Sequence, residues 1–298
     1  MTTTRVAVPR KGRPLEAVLE RLAGRTGTTD LADDIISTLR YEKAVTKGNQ
    51  DAVADVYHRI SDYSSLDAPY KPEYTLLRDD RDGMPRRIVF DSVTVPTEHG
   101  DVQLVGREEP FRALRTHEFA LGFDSADLVL EEVVQLRDEP LTAIHEINDR
   151  IDPLDTDVRV VTGLGDTVYH TLLATPEVMD TQDGPLDRDF VTNYEGELCI
   201  SPRYERLVEA VLGTSALDGV SFTYPTEGGE EEADIAATGL GVYLTVTGST
   251  ARDHGLELGE QLFPSETVLL ENAHERTETT ERVASLFEEP EETALQSI

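Results

Sequence analysis

Short apolar runs alternate with amphipathic stretches along almost the whole chain, and that alternation leaves few architectures open. Arg5 to Pro9 (RVAVP) reads as a buried strand. The next segment, KGRPLEAVLERLAG, places Leu15, Val18, Leu19 and Leu22 at helical spacing, with Gly24 expected to end the helix. From Arg87 onward RIVFDSVTV and DVQLVGR predict strands around a turn at Glu98-His99-Gly100. FRALRTHEFALGF predicts a helix running into a strand, and DLVLEEVVQL suits either. Strands follow at VRVVTGL, VYHTLLATP, GVSFTYP, GVYLTVTG and ETVLLEN, with a helix at RYERLVEAVLG, an acidic turn at TEGGEEEAD, and a terminal helix with a frayed end from about Glu275. Residues 30 to 87 differ in character. Two helices (31 to 46 and 50 to 61), a Tyr/Pro-rich connection and the charged loop RDDRDGMPRR read as an inserted helical region or lid. The fold class expected is α/β with mixed sheets.

The 298 residues hold 59 acidic side chains against 27 basic ones, a formal net charge of −32, and the acids are spread along the chain. Only Lys11, Lys43, Lys47 and Lys71 are lysines. An acidic interaction segment has this charge too, but 38% hydrophobic residues in periodic runs suffice for a core. The pattern instead suits a surface that stays hydrated in concentrated salt. Binding to nucleic acid, which needs cations to displace counterions, is not expected. A lone cysteine, Cys199, cannot form an internal disulfide. The opening MTTTRVAVP has no apolar segment of signal-peptide length, and no run approaches a membrane span, so a cytoplasmic protein with no membrane partner is expected.

Two segments offer chemistry. Thr247-Gly248-Ser249-Thr250 follows the apolar strand GVYLTV and precedes Arg252; a tight turn there lets N–H groups and hydroxyls converge on one anion. By themselves those four residues more often form an ordinary loop. Arg10-Lys11-Gly12-Arg13 is a dense positive cluster directly after the first strand, where open α/β folds bind ligands, although a solvated turn has the same composition. The seven histidines never fall at metal-ligand spacing, so no structural metal is expected. There is no G-x-S-x-G elbow, Walker loop or complete dinucleotide fingerprint.

Taken in order, these segments resemble the catalytic chain of ATP phosphoribosyltransferase, the enzyme that commits to histidine biosynthesis. VAVPRKGRPLEAVLERLAG matches the family's opening strand and Lys-Gly-Arg-Leu turn, with Pro14 in place of the leucine. PFRALRTHEFALGFDSADLVLEE keeps Leu121, Gly122, Asp127 and Glu131; LGDTVYHTLLATPE and FVTNYEGELCISPRYERLV resemble the segments that follow. TGSTARDHGL is similar to the phosphoribosyl-diphosphate loop, retaining Thr247, Gly248, Thr250, Arg252, Gly255 and Leu256. The resemblance covers nearly everything outside residues 30 to 87.

It implies a two-lobe fold of the type II periplasmic-binding-protein kind, with lobe I from 1–160 plus 260–298, carrying the insertion, and lobe II from 161–259. It implies transfer of phosphoribosyl from phosphoribosyl diphosphate to adenine N1 of ATP, with Mg2+ leaving on pyrophosphate. Thr247, Gly248, Ser249 and Thr250 with Arg252 would hold the 5′-phosphate, Lys11 and Arg13 would face the polyphosphates, and Asp127 and Glu131 are further cleft candidates. A homo-oligomer is expected on the same ground, and the regulatory domain of the family's long form is not.

The resemblance breaks at the acidic pair that precedes the family's loop, where this chain has Gly239 and Tyr243, and Asp124-Ser125 and Ala120 also depart from the pattern. Two functions stay open: a divergent transferase, or an inactive paralogue that binds a nucleotide or metabolite. A transport-type binding protein would need an export signal.

In about 1 M salt the Debye length is ~3 Å, so self-repulsion within the acidic surface is screened. Dialysis into dilute buffer should therefore unfold the purified chain, read as loss of its far-ultraviolet circular dichroism; an unchanged spectrum would overturn the salt-adaptation reading.

Overall fold

Val6, Ala7 and Val8 are completely buried in β1 (Thr3–Pro9), the parallel neighbour of two other strands. Pro9 and the positive φ of Gly12 (83°) turn the chain into α1 (Arg13–Thr26). Its Leu15, Val18, Leu19 and Leu22 face the core as their spacing predicts. The helix continues through Gly24, which has open space around it, and ends where Gly27 adopts φ 70° and donates its N–H to Ala23 O at 2.8 Å. A left-handed residue is what ends such a helix, and Gly24 is not one.

The computed structural model describes residues 3–64, 68, 70–78, 86–98, 100–226 and 230–288. Most of the charged loop expected near 79–85, His99, part of the acidic turn (227–229) and the frayed end from 289 lie outside them. After α1 come α2 (Thr29–Thr46), α3 (Val56–Tyr63), β2 (Glu73–Arg78), β3 (Arg86–Thr97), β4 (Gly100–Arg107), α4 (Pro110–Arg115) and β5 (Leu121–Ser125). Next are α5 (Ala126–Glu132), β6 (Val158–Gly163), β7 (Val168–Ala174), α6 (Pro176–Met179), α7 (Arg188–Thr192), β8 (Gly196–Cys199), α8 (Glu205–Leu212), β9 (Val220–Thr223), α9 (Glu231–Thr238), β10 (Leu240–Thr245), α10 (Ser249–Asp253) and β11 (Glu257–Ser265). β12 (Thr267–Asn272) and α11 (Glu278–Ala284) complete the described chain.

These elements form two compact units, 1–124 with 268–298, and 125–267. In the first, six strands lie in the order β2-β3-β4-β1-β5-β12, parallel around β1 and antiparallel from β4 outward to β2. The second carries a five-stranded mixed sheet, β11-β7-β10-β8-β9. Two α/β units, one built from both ends of the chain and one from its middle, follow the type II periplasmic-binding-protein plan.

The crossings between the units fall at 124/125 and 267/268, whereas the sequence reading puts them near 160 and 260. Residues after 125 go with the second unit because α5 is anchored there. Glu131 accepts the Leu207 N–H at 2.7 Å, and Arg206 donates to Val134 O at 2.6 Å. Residues 257–265 stay there because β11 pairs antiparallel with β7 up to Ser265↔Val168.

The insertion is less helical than its composition suggests. Its second helix starts at Val56, where Asp55 caps the N–H groups of Tyr57 and His58 at 2.9 and 3.1 Å, and the Tyr/Pro-rich connection runs into the edge strand β2. One buried ion pair joins its two helices. Glu42 on α2, 2% exposed, accepts Arg59 Nε and Nη2 at 2.8 and 2.9 Å, and the Tyr63 hydroxyl donates to it at 2.9 Å. The C-terminal segment docks on the first unit through Phe287, fully buried and edge-on to Phe123 with ring centroids 4.7 Å apart.

Removing one member of a buried pair strands the other, at a cost of about 3–5 kcal/mol. Arg59→Ala should lower the unfolding free energy by that order in denaturant titrations in concentrated KCl, whereas Arg112→Ala, whose partner Glu109 is an exposed neighbour three residues away, should change it by less than ~0.5 kcal/mol.

Candidate functional site

Strand β10 ends at the buried Thr245, and the chain then lifts into solvent at Val246, 80% exposed. Gly248 turns it with φ 67° into the short helix α10; a Cβ there would come within 2.2 Å of Leu258 Cδ2, so both the conformation and the space call for glycine. Ala251 and Leu256 pin the far side into an apolar cluster with Leu173, Cys199 and Ile235. The polar side is left exposed. Ser249 N–H donates to Thr247 Oγ1 at 3.4 Å, the Thr247 and Ser249 hydroxyls lie 3.2 Å apart, and Arg252 Nη1 donates to Thr247 O at 2.9 Å. Thr250 stands exposed in the same turn. Three hydroxyls, the amides that open α10 and a guanidinium therefore share one turn of the second unit, a donor set suited to an anion. Lys11 and Arg13 flank Gly12 at the β1–α1 turn of the first unit.

The two positions that depart from the family's acidic pair have different local reasons. Gly239 ends α9 with φ 107°, passes its carbonyl to the Thr175 N–H at 2.8 Å, and has no room for a Cβ, which would meet Val178 Cγ2 at 2.7 Å. Tyr243 lies half-buried on the apolar cluster beneath α10. Burial, and then the charges of Glu231 and Glu232, hold its phenol above the usual tyrosine range. The carboxylates whose charge acts on Tyr243 thus come from α9 and not from β10. TEGGEEEAD is not simply a turn: Glu231, Glu232 and Asp234 form the first turn of α9, where acidic groups offset the helix dipole. Glu231 is itself pushed up by burial and by Glu232, against the opposing pull of Arg203. Asp234 is engaged elsewhere, accepting the Thr226 N–H at 2.9 Å.

Asp127 and Glu131, one turn apart on α5, act on buried groups. Asp127 Oδ2 accepts the Ser265 hydroxyl at 2.8 Å, while Oδ1 lies 3.2 Å from Nε2 of His170, which is 1% exposed. The His170 ring stands edge-on to Tyr204 with centroids 4.9 Å apart. Burial, then the charge of Asp127, raises the Tyr204 phenol, and Arg203 covers the same ring with its guanidinium 5.0 Å from the centroid. Sequence inspection missed His170, Arg203, Tyr204 and Glu231. The only signal available for Glu231 was an acidic turn directly ahead of a short helix.

Among the described residues no three His, Cys, Asp or Glu side chains converge as a metal-binding group, and no helix is long and apolar enough to cross a membrane.

A model of the family described as halobacterial ATP phosphoribosyltransferase matches residues 1–297. No curated protein matches the sequence. Among solved structures, the chain is similar to the ATP phosphoribosyl transferase (HisG:HisZ) complex from Thermotoga maritima, at 14% identity and TM-score 0.42 over 95% of this chain and 94% of that one. It is also similar to YhfZ from Shigella flexneri, at 11% identity and TM-score 0.42 over 97% and 93%. The periplasmic VFT2 domain of BvgS from Bordetella pertussis matches at 10% identity and TM-score 0.40 over 96% and 86%.

Burial raises the Glu131 carboxyl above the ordinary glutamate range, outweighing the Leu207 N–H and Arg206. A carboxyl that binds its proton more tightly when folded loses stability as pH rises through the interval between its unfolded and folded values. Glu131→Gln keeps an acceptor for Leu207 and removes the charge. It should match or exceed the wild-type melting temperature at neutral pH, and this advantage should vanish below the unfolded glutamate pKa of about 4.3; a loss at neutral pH that disappears below that value would show that the charge itself is needed.

Proposed function

The chain belongs to the halobacterial ATP phosphoribosyltransferase family, and from that premise we propose that it transfers the phosphoribosyl group of phosphoribosyl diphosphate to adenine N1 of ATP, with release of pyrophosphate. The observation that carries this reading is the 247–252 turn, because it joins hydroxyls, helix-opening amides and Arg252 on a glycine-dependent backbone that its apolar underside holds in place. In this reading Thr247, Gly248, Ser249, Thr250 and Arg252 bind the 5′-phosphate, and Lys11 and Arg13 face the polyphosphates.

The chemistry asks the protein for position and charge. Adenine N1 is the nucleophile and pyrophosphate the leaving group, so no side chain has to form a covalent bond. Positive charge builds on the ribose ring as the C1–oxygen bond breaks, and a nearby carboxylate would stabilise it. With Gly239 and Tyr243 where the family has acids, Glu231 is the carboxylate best placed for that part, since its charge already acts on Tyr243. Magnesium enters as the counter-ion of its phosphate substrates, which is how this ion is commonly held when few protein ligands converge.

A second reading is favoured by the same two positions. A phosphate-binding paralogue that has lost transfer would keep the turn and dispense with the acids.

Purified protein in about 2 M KCl with magnesium, where electrostatic screening maintains the fold, should release pyrophosphate only when both substrates are present. Thr250→Ala should lower kcat/KM by about ten- to a hundredfold, since hydrogen bonds to charged groups contribute ~1.5–3 kcal/mol. Phosphoribosyl diphosphate binding without release would favour the paralogue, and folded protein that does neither would exclude both readings.

A further inference from the structure

Three of the chain's four lysines, Lys11, Lys43 and Lys47, line one cavity of about 260 Å³ in the first unit. It lies between the turn after β1, the C-terminal half of α2 and the beginning of β3, with Leu39, Ile88 and Val89 among its walls. Arg40 and Arg87 bring the cations there to five, against the two carboxylates Glu16 and Glu42. In the chain as a whole acids outnumber bases 59 to 27, so the balance is reversed in the lining of this cavity.

Both carboxylates are already neutralised. Glu16 accepts Arg40 Nη2 at 2.6 Å, and Glu42 is held by Arg59 and Tyr63. No side-chain hydrogen bond or ion pair engages Lys43, Lys47 or Arg87 among the described residues. Lys43 in the last turn of α2 and Lys47 at its C-cap are four residues apart, an arrangement that repels. The negative end of the α2 dipole offsets that repulsion, but it does not account for Lys11 and Arg87 arriving at the same cavity from two other segments.

We propose that this cavity is a binding site for an oligophosphate anion, built by the inserted helix α2 and carried entirely by the first unit. Lysine suits the task better than the arginine that carries most of the chain's positive charge: the ammonium is a compact charge with three rotatable donors, which adapts to tetrahedral phosphate oxygens without the planar approach a guanidinium requires. Apolar walls concentrate the field of the cations above them. The volume is just below the roughly 300–1,000 Å³ of small-molecule sites, which fits a short phosphate chain and leaves any attached nucleoside outside. Lys11 is shared with the basic turn of the transfer reading, whereas Lys43 and Lys47 belong to this cavity alone, and the site does not depend on transfer taking place.

Titration calorimetry in about 1 M KCl, where only contact pairs survive screening, tests this with inorganic tripolyphosphate and with ATP as separate probes. Wild-type protein should bind tripolyphosphate, and Lys43→Ala/Lys47→Ala should bind it at least about tenfold more weakly while keeping the wild-type circular dichroism and the affinity for phosphoribosyl diphosphate. Thr250→Ala should leave tripolyphosphate binding unchanged. ATP and tripolyphosphate binding alike would identify the phosphate chain as what is read, and tighter ATP binding would show that the nucleoside adds contacts. Equal tripolyphosphate affinity in wild type and the double-lysine variant, or no binding by folded wild type, overturns the proposal.

Discussion

Positive charge is scarce in this molecule, and where it is placed governs much else. Acidic side chains outnumber basic ones by more than two to one, so a cation held inside the fold or gathered at a cavity leaves the surface still more negative. Arg59 is spent on the buried carboxylate that ties α2 to α3. Arg10 lies 3.1 Å from Asp91, pairing the end of β1 with β3. Arg188, its side chain 17% exposed, donates to the carbonyl of Val211 at 3.1 Å and pairs with Glu260. Such pairs position elements within each unit. The lysines follow another rule, three of four meeting at one cavity.

The 247–252 turn depends on packing beneath it as much as on its own residues. Gly248 has to be left-handed because Leu258 occupies the space a side chain would need, and Ala251 and Leu256 fasten the turn to the cluster that also receives Tyr243. That explains how a tyrosine can stand where the family has an acid: the side chain serves the apolar support of the turn while α9 brings Glu231 and Glu232 within electrostatic reach of it. Gly239 is a backbone requirement at the junction of α9 and β10, with Val178 closing off any larger residue.

Much of the fold was legible from the chain alone. β1, α1, β4, β7, α8, β10 and β12 lie where apolar periodicity predicts them, since each buries a continuous face. β2, β8 and β11 were not legible, and their physics differs. β2 and β8 are short; β11 carries glutamates and a proline and is interrupted by register shifts, so it pairs with β7 by backbone hydrogen bonds without the alternation that would announce it. α9 was hidden because its first turn is nearly all acidic.

Composition settled the charge and the number of lysines, and local order settled the strand–turn–helix at each candidate binding segment, because these depend on neighbours in sequence. The unit boundaries, the partners of Asp127 and Glu131, the approach of Glu231 to Tyr243 and the meeting of Lys11 with Lys43, Lys47 and Arg87 were decided only by the tertiary structure. The reason is distance along the chain: Asp127 and Ser265 are 138 residues apart, and only the burial that closes such long loops determines which polar groups must share one interior.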